Sequence, residues 1–468
     1  MNSVSIIGTG FVGLVTGACL SEFGLHVFCM DTDATKISGL DRGIVPIYEP
    51  GLPALITKNV GAGRLRFTTD IASAVAASQV IFIAVPTPEG EDGSADLRHV
   101  LAAADSIAQH MAEYKVIVNK STVPVGTGRK IAEAVRATLD RRGLALEFDV
   151  VSNPEFLREG SAIRDFMHPD RVVIGGDNDR SREMIRDIYN VLYLIETPFI
   201  FTSLESAELI KYASNAFLAT KIAFINEVAS LCDTVRADVR DIAKAMGMDG
   251  RIGKYFLHPG PGYGGSCLPK DAKALVKIGQ EHGARMSIVD SVVKANEHQR
   301  RRMVGKMEAL MSSVEGKVIA VLGLAFKQGT DDVRESSSVA IILELLEKGG
   351  RVKVYDPCAT ENAKKGPFAK IEGVESGQYN EIVQGDFGTG ANKIMYCADE
   401  YDAAKGADAV VILTEWNQFR HLDLARIAQS MRGKFFFDFR NIYEPEDVAR
   451  LGFVYECVGR PRMHRPEK

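Results

Sequence analysis

The sequence predicts an α/β protein with two open, doubly wound parallel sheets joined by a long helical segment, and three observations carry that prediction. The apolar run Val4-Ser5-Ile6-Ile7 enters Gly8-Thr9-Gly10-Phe11-Val12-Gly13, and a helical pattern follows to about Phe23. Beyond Gly316 the order returns: Lys317 to Gly323 reads as a strand entering a glycine turn, Ser336 to Lys348 as a helix, and Val352 to Asp356 as a strand ending in an acid. From Ser203 to about Ala245, Leu209, Ile210, Ala213, Phe217, Ile222, Ile225, Val228, Ala229 and Leu231 recur at the three- and four-residue steps of a helix. The expected division is residues 1–200, 201–300 and 301–468.

In the first part, strand, glycine turn and helix are followed by a second apolar strand, Val27 to Met30, ending on Asp31. This is the setting a dinucleotide fingerprint requires: Gly8 makes the tight turn, Gly10 lets a pyrophosphate approach, and Gly13 packs helix on strand. Asp31 can accept hydrogen bonds from ribose hydroxyls and would repel a 2′-phosphate, so NAD is expected over NADP. Further buried strands are expected at Val80 to Val85 and Lys115 to Asn119. Their following loops, Pro86-Thr87-Pro88 and Lys120-Ser121-Thr122-Val123-Pro124, should border the cofactor, because ligands bind at the carboxyl ends of strands in open α/β sheets. The last part lacks G-x-G-x-x-G, yet Ala407 to Thr414 mirrors Ser78 to Val85. A second nucleotide-like ligand is the expectation there, with a purely structural repeat as the alternative.

Composition describes a large globular chain. Of 468 residues, 46% are hydrophobic and 25% charged, enough for two or three domains. With 56 basic and 61 acidic residues the net charge is −5, which gives no electrostatic case for nucleic acid or membrane binding. Seven scattered cysteines, with no C-x-x-C pair, argue for a reducing, cytoplasmic compartment and against a zinc site or disulfide framework. No basic leader precedes Lys36, so neither a signal peptide nor a membrane span is expected. The tail from Gly459 to Lys468, with Arg460, Arg462, Arg465 and Lys468 among prolines, is expected to be disordered.

One cysteine stands apart. In Gly264-Gly265-Ser266-Cys267-Leu268-Pro269-Lys270-Asp271 a helix is expected to begin at Pro269, which places its unpaired N–H groups and positive dipole end beside the sulfur and favours thiolate. Asp271, four residues on, can return its carboxylate to the same helix end to hold or deprotonate a water. The glycines from Gly260 to Gly265 are expected to let backbone close onto a ligand beside the sulfur.

Over nearly its full length the chain resembles the UDP-glucose/GDP-mannose dehydrogenase family of nucleotide-sugar 6-dehydrogenases. The motifs are Gly8 to Gly13, Glu49-Pro50-Gly51-Leu52, Lys120 to Thr127, Asn153-Pro154-Glu155-Phe156-Leu157-Arg158-Glu159-Gly160, Lys211 to Asn215, Gly264 to Asp271, Gly323-Leu324-Ala325-Phe326-Lys327 and Arg334-Glu335-Ser336-Ser337. The resemblance implies two Rossmann-like domains joined by a long-helix linker domain: an NAD-binding domain, a linker that forms the core of a homodimer or higher homo-oligomer, and a UDP-sugar-binding domain. It also implies two NAD-dependent oxidations at the sugar's C6, alcohol to aldehyde to acid, with two NADH per substrate. UDP-glucose going to UDP-glucuronate is the expected case. GDP-mannose or a UDP-N-acetylhexosamine is the alternative sugar, and a single-step dehydrogenase or a thiol-based NAD sensor the alternative function. Leu268 follows the cysteine as in GDP-mannose enzymes, whereas His168 to Gly175 follows the UDP-glucose type.

By that resemblance Cys267 is the nucleophile that forms thiohemiacetal and thioester, and Lys211 and Asn215, at i and i+4 on one helix face, clamp the developing alkoxide. Asp271 with Thr122 handles water, and Glu155 and Glu159 serve acid–base, water-ordering and cofactor roles. Substrate contacts extend to Phe156, Leu157, Arg251 (reaching a partner subunit's substrate), Phe256, Leu257, Tyr263, Gly264, Lys327 and Arg440. Cofactor contacts add Phe11, Val12, Lys36, Thr87 and Arg334. His258 stands where some members have lysine.

Overall fold

The computed structural model describes residues 3–90, 94–369 and 393–461. They form two compact units, one from the chain up to Ser214 together with Lys277–Arg285, the other from Asn215–Val276 together with the chain from Met286 onward.

The first unit is built on strands β1 (Ser3–Ile7), β2 (His26–Met30), β3 (Leu65–Thr68), β4 (Val80–Ile83), β5 (Lys115–Asn119), β6 (Phe148–Ser152), β7 (Val172–Gly175) and β8 (Phe199–Thr202). Their order in the sheet is β3-β2-β1-β4-β5-β6-β7-β8. The first six follow the doubly wound order, and in register Ile6 lies between Cys29 and Phe82. β4 and β5 are buried at every position, which is why β4 and the Val116-Ile117-Val118 centre of β5 read as apolar runs. Helix α1 (Phe11–Glu22) covers one face with Leu14, Val15 and Leu20, while Ile107, Ile131 and Val135 pack the other. The sheet extends beyond expectation: β7 pairs antiparallel with β6 through Ser152 and Gly175, and β8 continues parallel to β7. Helix α2 (Thr127–Arg141) follows the loop after β5.

Helix α3 (Leu204–Val235) has 32 residues, about 48 Å at 1.5 Å per residue. Ala207, Glu208, Lys211, Tyr212, Asn215, Ala219 and Asn226 form its buried stripe. Several apolar residues that made the helix legible are instead exposed: Leu209, Phe217 and Leu231 lie off that stripe. Helices α4 (Leu268–Glu281) and α5 (Ser287–Met311) come next.

The second unit's sheet contains β9 (Val318–Leu322), β10 (Arg351–Tyr355), β11 (Ile394–Tyr396), β12 (Ala409–Ile412), β13 (Phe435–Asp438) and β14 (Val454–Cys457). Its order, β11-β10-β9-β12-β13-β14, repeats that of the first sheet's first six strands, and every pair is parallel. Helix α6 (Ser337–Glu347), capped by Ser336, packs Ile341, Ile342 and Leu345 into the same core as Val321 and Val354. Two expectations need correction. Helix α4 starts at Leu268, one residue before Pro269. The tail is ordered at its start, because Arg460 is buried and pairs with Asp238 at 3.1 Å and Glu444 at 2.8 Å, while Gly459 donates to Asp233 at 3.0 Å. Arg462, Arg465 and Lys468 lie outside the described residues.

Candidate active site

The glycine turn after β1 is built by exclusion and by openness. Gly8 has φ of +106°, and a Cβ there would meet the Ala84 carbonyl oxygen at 2.4 Å. A Cβ on Gly13 would strike the Gly8 carbonyl, so helix and turn pack only with hydrogen there. At Gly10, by contrast, a Cβ would meet nothing within 4 Å. Gly10 is also the N-cap of α1 and offers no side-chain cap, so the helix start keeps backbone donors available to an anion. Phe11 and Val12 begin that helix half-buried. These residues fit the pyrophosphate of a dinucleotide.

Asp31, just past β2, is organised before any ligand. Its Oδ2 accepts from Thr9 N at 2.9 Å, Thr9 Oγ1 at 2.7 Å and Lys36 Nζ at 3.0 Å, and its Oδ1 accepts from Asp33 N at 3.1 Å. Burial pulls the carboxyl upward, but the bonds from Thr9, Asp33 and Lys36 outweigh it and hold the group down at about 2. Lys36 thus reaches the site as the partner of Asp31. Thr87, beyond β4, donates to the Thr122 carbonyl at 2.8 Å and links the two loops expected to border the cofactor.

A second cluster of the first unit lies where the loop after β6 meets α3. Lys211 Nζ is 2.9 Å from Glu155 Oε1, and both side chains are buried. Glu155 Oε2 accepts from Leu157 N at 2.5 Å, which fixes the carboxylate at the end of its strand. Lys211 also lies 5.5 Å from the Phe156 ring centroid. Thr122 and Glu159 are half-buried, and Glu159 is followed by Gly160, whose N–H donates to Glu49 at 2.7 Å.

The second unit holds the thiol. Cys267 directly precedes α4, its carbonyl accepting from Asp271 N at 2.8 Å, and its Sγ lies 3.6 Å from Ser266 Oγ. Asp271 is 1% exposed, accepts from Asn215 Nδ2 at 2.6 Å, and has Lys270 Nζ 2.9 Å from its other oxygen. Lys211 and Asn215 therefore share a helix face, as their spacing predicts, but each serves a different carboxylate. Among the seven free cysteines only Cys267 and Cys358 are half-buried. Burial pushes the thiols of Cys19, Cys29 and Cys397 up to about 12, which makes them inert packing groups.

The glycine loop before Cys267 departs from expectation: protein closes onto these glycines. A Cβ on Gly264 would meet the Glu335 carbonyl at 2.4 Å, and one on Gly265 the Phe326 ring at 2.8 Å. Tyr263 is pinned by Asn296, which accepts from its N–H at 2.8 Å and donates to its carbonyl at 2.9 Å. Leu257 lies in the core, and Phe256 adopts φ of +63°. Arg251 is exposed and paired with Asp249 at 2.6 Å.

Lys327 and Arg440 follow β9 and β13, at the carboxyl ends of strands on either side of β12. Lys327 lies 5.6 Å from the Phe326 ring. Arg440 donates to the Leu413 carbonyl at 2.7 Å and the Phe326 carbonyl at 3.0 Å. Arg334 chelates Asp332 at 2.7 Å with an exposed guanidinium, and its carbonyl accepts from Gly265 N at 3.0 Å.

Two buried charged residues received no role of their own in the sequence reading. Glu208, on the buried stripe of α3, accepts from Gly126 N at 2.6 Å and Gly128 N at 2.7 Å, clamping the start of α2. Lys120 is buried and within electrostatic reach of Glu155 and Lys211. Glu208 could have been found from the 208, 211, 215, 219 spacing, and Lys120 from its place two residues after the apolar run Val116-Ile117-Val118.

Three models of one family match in order: the NAD binding domain of the UDP-glucose/GDP-mannose dehydrogenase family at residues 2–193, its central domain at 205–298 and its UDP binding domain at 320–445. A UDP-glucose 6-dehydrogenase of Rhizobium meliloti is 49% identical, covering 98% of this chain and 99% of its own. UDP-glucose 6-dehydrogenase TuaD of Bacillus subtilis is 44% identical, covering 100% and 95%. The structure of a UDP-glucose dehydrogenase from Pyrobaculum islandicum matches with a TM-score of 0.86 at 38% identity, over 98% of both chains. With an open glycine turn beside a fixed Asp31, and family models spanning both sheets and the helices that follow the first, the chain belongs to the UDP-glucose/GDP-mannose dehydrogenase family and is an NAD-dependent dehydrogenase.

Proposed function

We propose that the protein oxidises UDP-glucose to UDP-glucuronate in two successive NAD-dependent steps, using Cys267 as a covalent nucleophile. The observation that carries the reading is local: a half-buried thiol and a buried carboxylate stand at the start of one helix, with the carboxylate gripped by Asn215 at 2.6 Å. The choice of sugar is supported by the two bacterial relatives, which carry the name UDP-glucose 6-dehydrogenase and match along almost the whole chain.

Gly8, Gly10, Phe11, Val12 and Gly13 would hold the pyrophosphate of NAD, and Asp31, whose Oδ1 takes one hydrogen bond, has capacity for a ribose hydroxyl. Lys36, Thr87, Thr122, Glu159 and Arg334 complete the cofactor contacts. Bound NAD supplies the hydride acceptor, one molecule for each oxidation.

In the first oxidation C6 loses a hydride and its hydroxyl a proton. Lys211 and Asn215 donate hydrogen bonds to the oxygen as charge develops, and Glu155 takes up the proton through Lys211. The Cys267 thiolate then adds to the aldehyde carbon, forming a C–S bond. The carbonyl π pair passes to the oxygen, and the resulting thiohemiacetal oxyanion, hydrogen-bonded by Lys211 and Asn215, loses a second hydride directly to become a thioester. Asp271 activates water, which attacks the thioester carbonyl; the C–S bond breaks, releasing carboxylate and regenerating the thiolate. Thr122 and Glu159 order water. Lys327 and Arg440 offer cations to the anionic nucleotide, and Phe156, Leu157, Arg251, Phe256, Leu257, Tyr263 and Gly264 complete the substrate contacts.

The functional division is 1–200 for NAD, 201–300 for linkage and dimerisation, and 301–468 for the UDP-sugar. A homodimer is supported by Phe217, Phe224 and Leu231, exposed at seven-residue steps along α3. Light scattering should give twice the chain mass, and Phe224→Glu should reduce it. Seven free cysteines support a cytoplasmic setting. Among the described residues no helix is long and apolar enough to cross a membrane. A panel of UDP-glucose, UDP-N-acetylmannosamine and GDP-mannose, read by NADH absorbance, tests the substrate: UDP-glucose should give the highest kcat/KM, and preference for another member would overturn that assignment.

A further inference from the structure

Lys120 directly follows β5 at the carboxyl end of the sheet, two residues before Thr122, and is 4% exposed. Both hydrogen-bond partners of its ammonium are neutral: Asn153 Oδ1 at 3.1 Å and Tyr189 OH at 3.2 Å. The three groups form a closed triangle, because Tyr189 OH also donates to Asn153 Oδ1 at 2.8 Å. Asn153 is tied further, its Nδ2 donating to the Val173 carbonyl at 2.8 Å and its N to the Asn119 carbonyl at 2.9 Å. The rings of Phe166 and Tyr189 face the ammonium at 5.9 and 5.8 Å. Pro154 follows Asn153 and restricts its backbone to extended conformations, so Glu155 leaves the triangle on a stiff segment.

A buried cation whose direct partners are neutral is costly to the fold. Its compensation comes from charge nearby. Glu155 attracts the Lys120 ammonium and Lys211 repels it, so two lysines share one carboxylate. With Lys120 charged, Glu155 faces two cations, whereas a neutral Lys120 leaves Lys211 and Glu155 as a closed one-to-one pair.

We infer that Lys120 is a positioning residue for the oxidation, fastening the segment that carries Glu155 and setting the charge balance of the Glu155–Lys211 pair without touching substrate. It acts inside the proposed reaction and rests on the reading that Glu155 and Lys211 face the sugar. Burial, opposed by Glu155 and reinforced by Lys211, lowers the Lys120 ammonium to about 8, so its charge is present in neutral solution and lost on the alkaline side. The other titratable groups facing it stay neutral there. Tyr189 is pushed up by burial, and Cys19 beside Tyr189 is raised to about 12. The sign for stability follows: between about 8 and the ordinary lysine range the unfolded chain holds the proton that the folded chain has released, so this group makes the fold more stable as pH rises.

The test is Lys120→Met, which keeps the length and removes the charge. At pH 7 kcat for UDP-glucose oxidation should fall about tenfold, the alkaline inflection near 8 should vanish from the kcat profile, and thermal stability should hold or increase, since Asn153 keeps its bond from Tyr189. A folded Lys120→Met enzyme with the wild-type kcat and pH profile would overturn the inference. Should that variant fail to fold, Tyr189→Phe keeps the charge and removes one acceptor, so the inflection should move to lower pH; an unmoved inflection would overturn it equally. Lys211→Met serves as the control for the underlying reading. Full activity there would refute the placement of Lys211 at the substrate, whereas a crippled Lys211→Met beside an unaffected Lys120→Met refutes only the role of Lys120.

Discussion

Glu208 stands one helical turn before Lys211 on α3 and grips the start of α2 with both carboxylate oxygens, at 2.6 Å to Gly126 N and 2.7 Å to Gly128 N. The helix that carries Lys211 and the loop that carries Thr122 are thereby fastened together. Gly126 has φ of +89° and caps nothing with a side chain of its own, so Glu208 supplies the missing acceptor. Burial, aided by Glu205 and opposed by the two N–H donors and Arg129, raises its carboxyl to about 7. Stability from this group is fully present below the ordinary glutamate range and is lost as pH rises through about 7, on the order of 3 kcal/mol in all. In Glu208→Gln that part of the slope of Tm against pH should disappear. An unchanged slope would contradict the assignment.

Replacing Asp31 with Asn removes the charge that organises Thr9 and Lys36. NAD affinity should fall and the preference over NADP should narrow, because ribose hydrogen bonding and repulsion of a 2′-phosphate are lost together. The wild-type carboxyl is held at about 2, so its stabilisation is present above the usual aspartate range and lost only as pH falls through about 2. NAD binding should therefore show no inflection from Asp31 between pH 4 and 8. Titration calorimetry with both cofactors checks both statements.

Much of this was legible because it is local. A glycine turn after an apolar run declares its strand and helix, and both sheets take the order that such units repeat. The antiparallel pairing of β7 with β6 was not legible, since direction depends on which distant strand completes the pair. Cys267 and Asp271 are read together from helical spacing, but the grip of Asn215 on Asp271 joins residues 56 apart in the chain. The glycines before Cys267 signalled close approach and were read as closing onto a ligand, but sequence cannot separate ligand from protein there; Glu335 and Phe326 fill that space. Position along the chain hints that Lys120 and Glu208 are buried, but the partners that hold their charges are tertiary and no run of sequence displays them.

Lys327→Ala should raise the KM for UDP-glucose by roughly tenfold, the scale of one charge-assisted contact, and leave NAD affinity unchanged. Arg440→Ala should do the same with some loss of stability, because its guanidinium also binds the carbonyls of Leu413 and Phe326. Loss of NAD binding in a folded Lys327→Ala protein would contradict the division between the two sheets.

With Cys267→Ser, steady production of UDP-glucuronate should collapse, because serine's hydroxyl is a far weaker nucleophile near neutral pH. Asp271→Asn should act later, slowing thioester hydrolysis so that mass spectrometry finds substrate bound to Cys267. Acid formation by Cys267→Ser near the wild-type rate would refute the covalent route.

The central claim is a four-electron oxidation at a single carbon. NADH formed per UDP-glucose consumed, measured at completion with limiting sugar nucleotide, tests it most directly. Two NADH for each UDP-glucose, with UDP-glucuronate as product, is the expected result; one NADH, with the aldehyde as product, would contradict it.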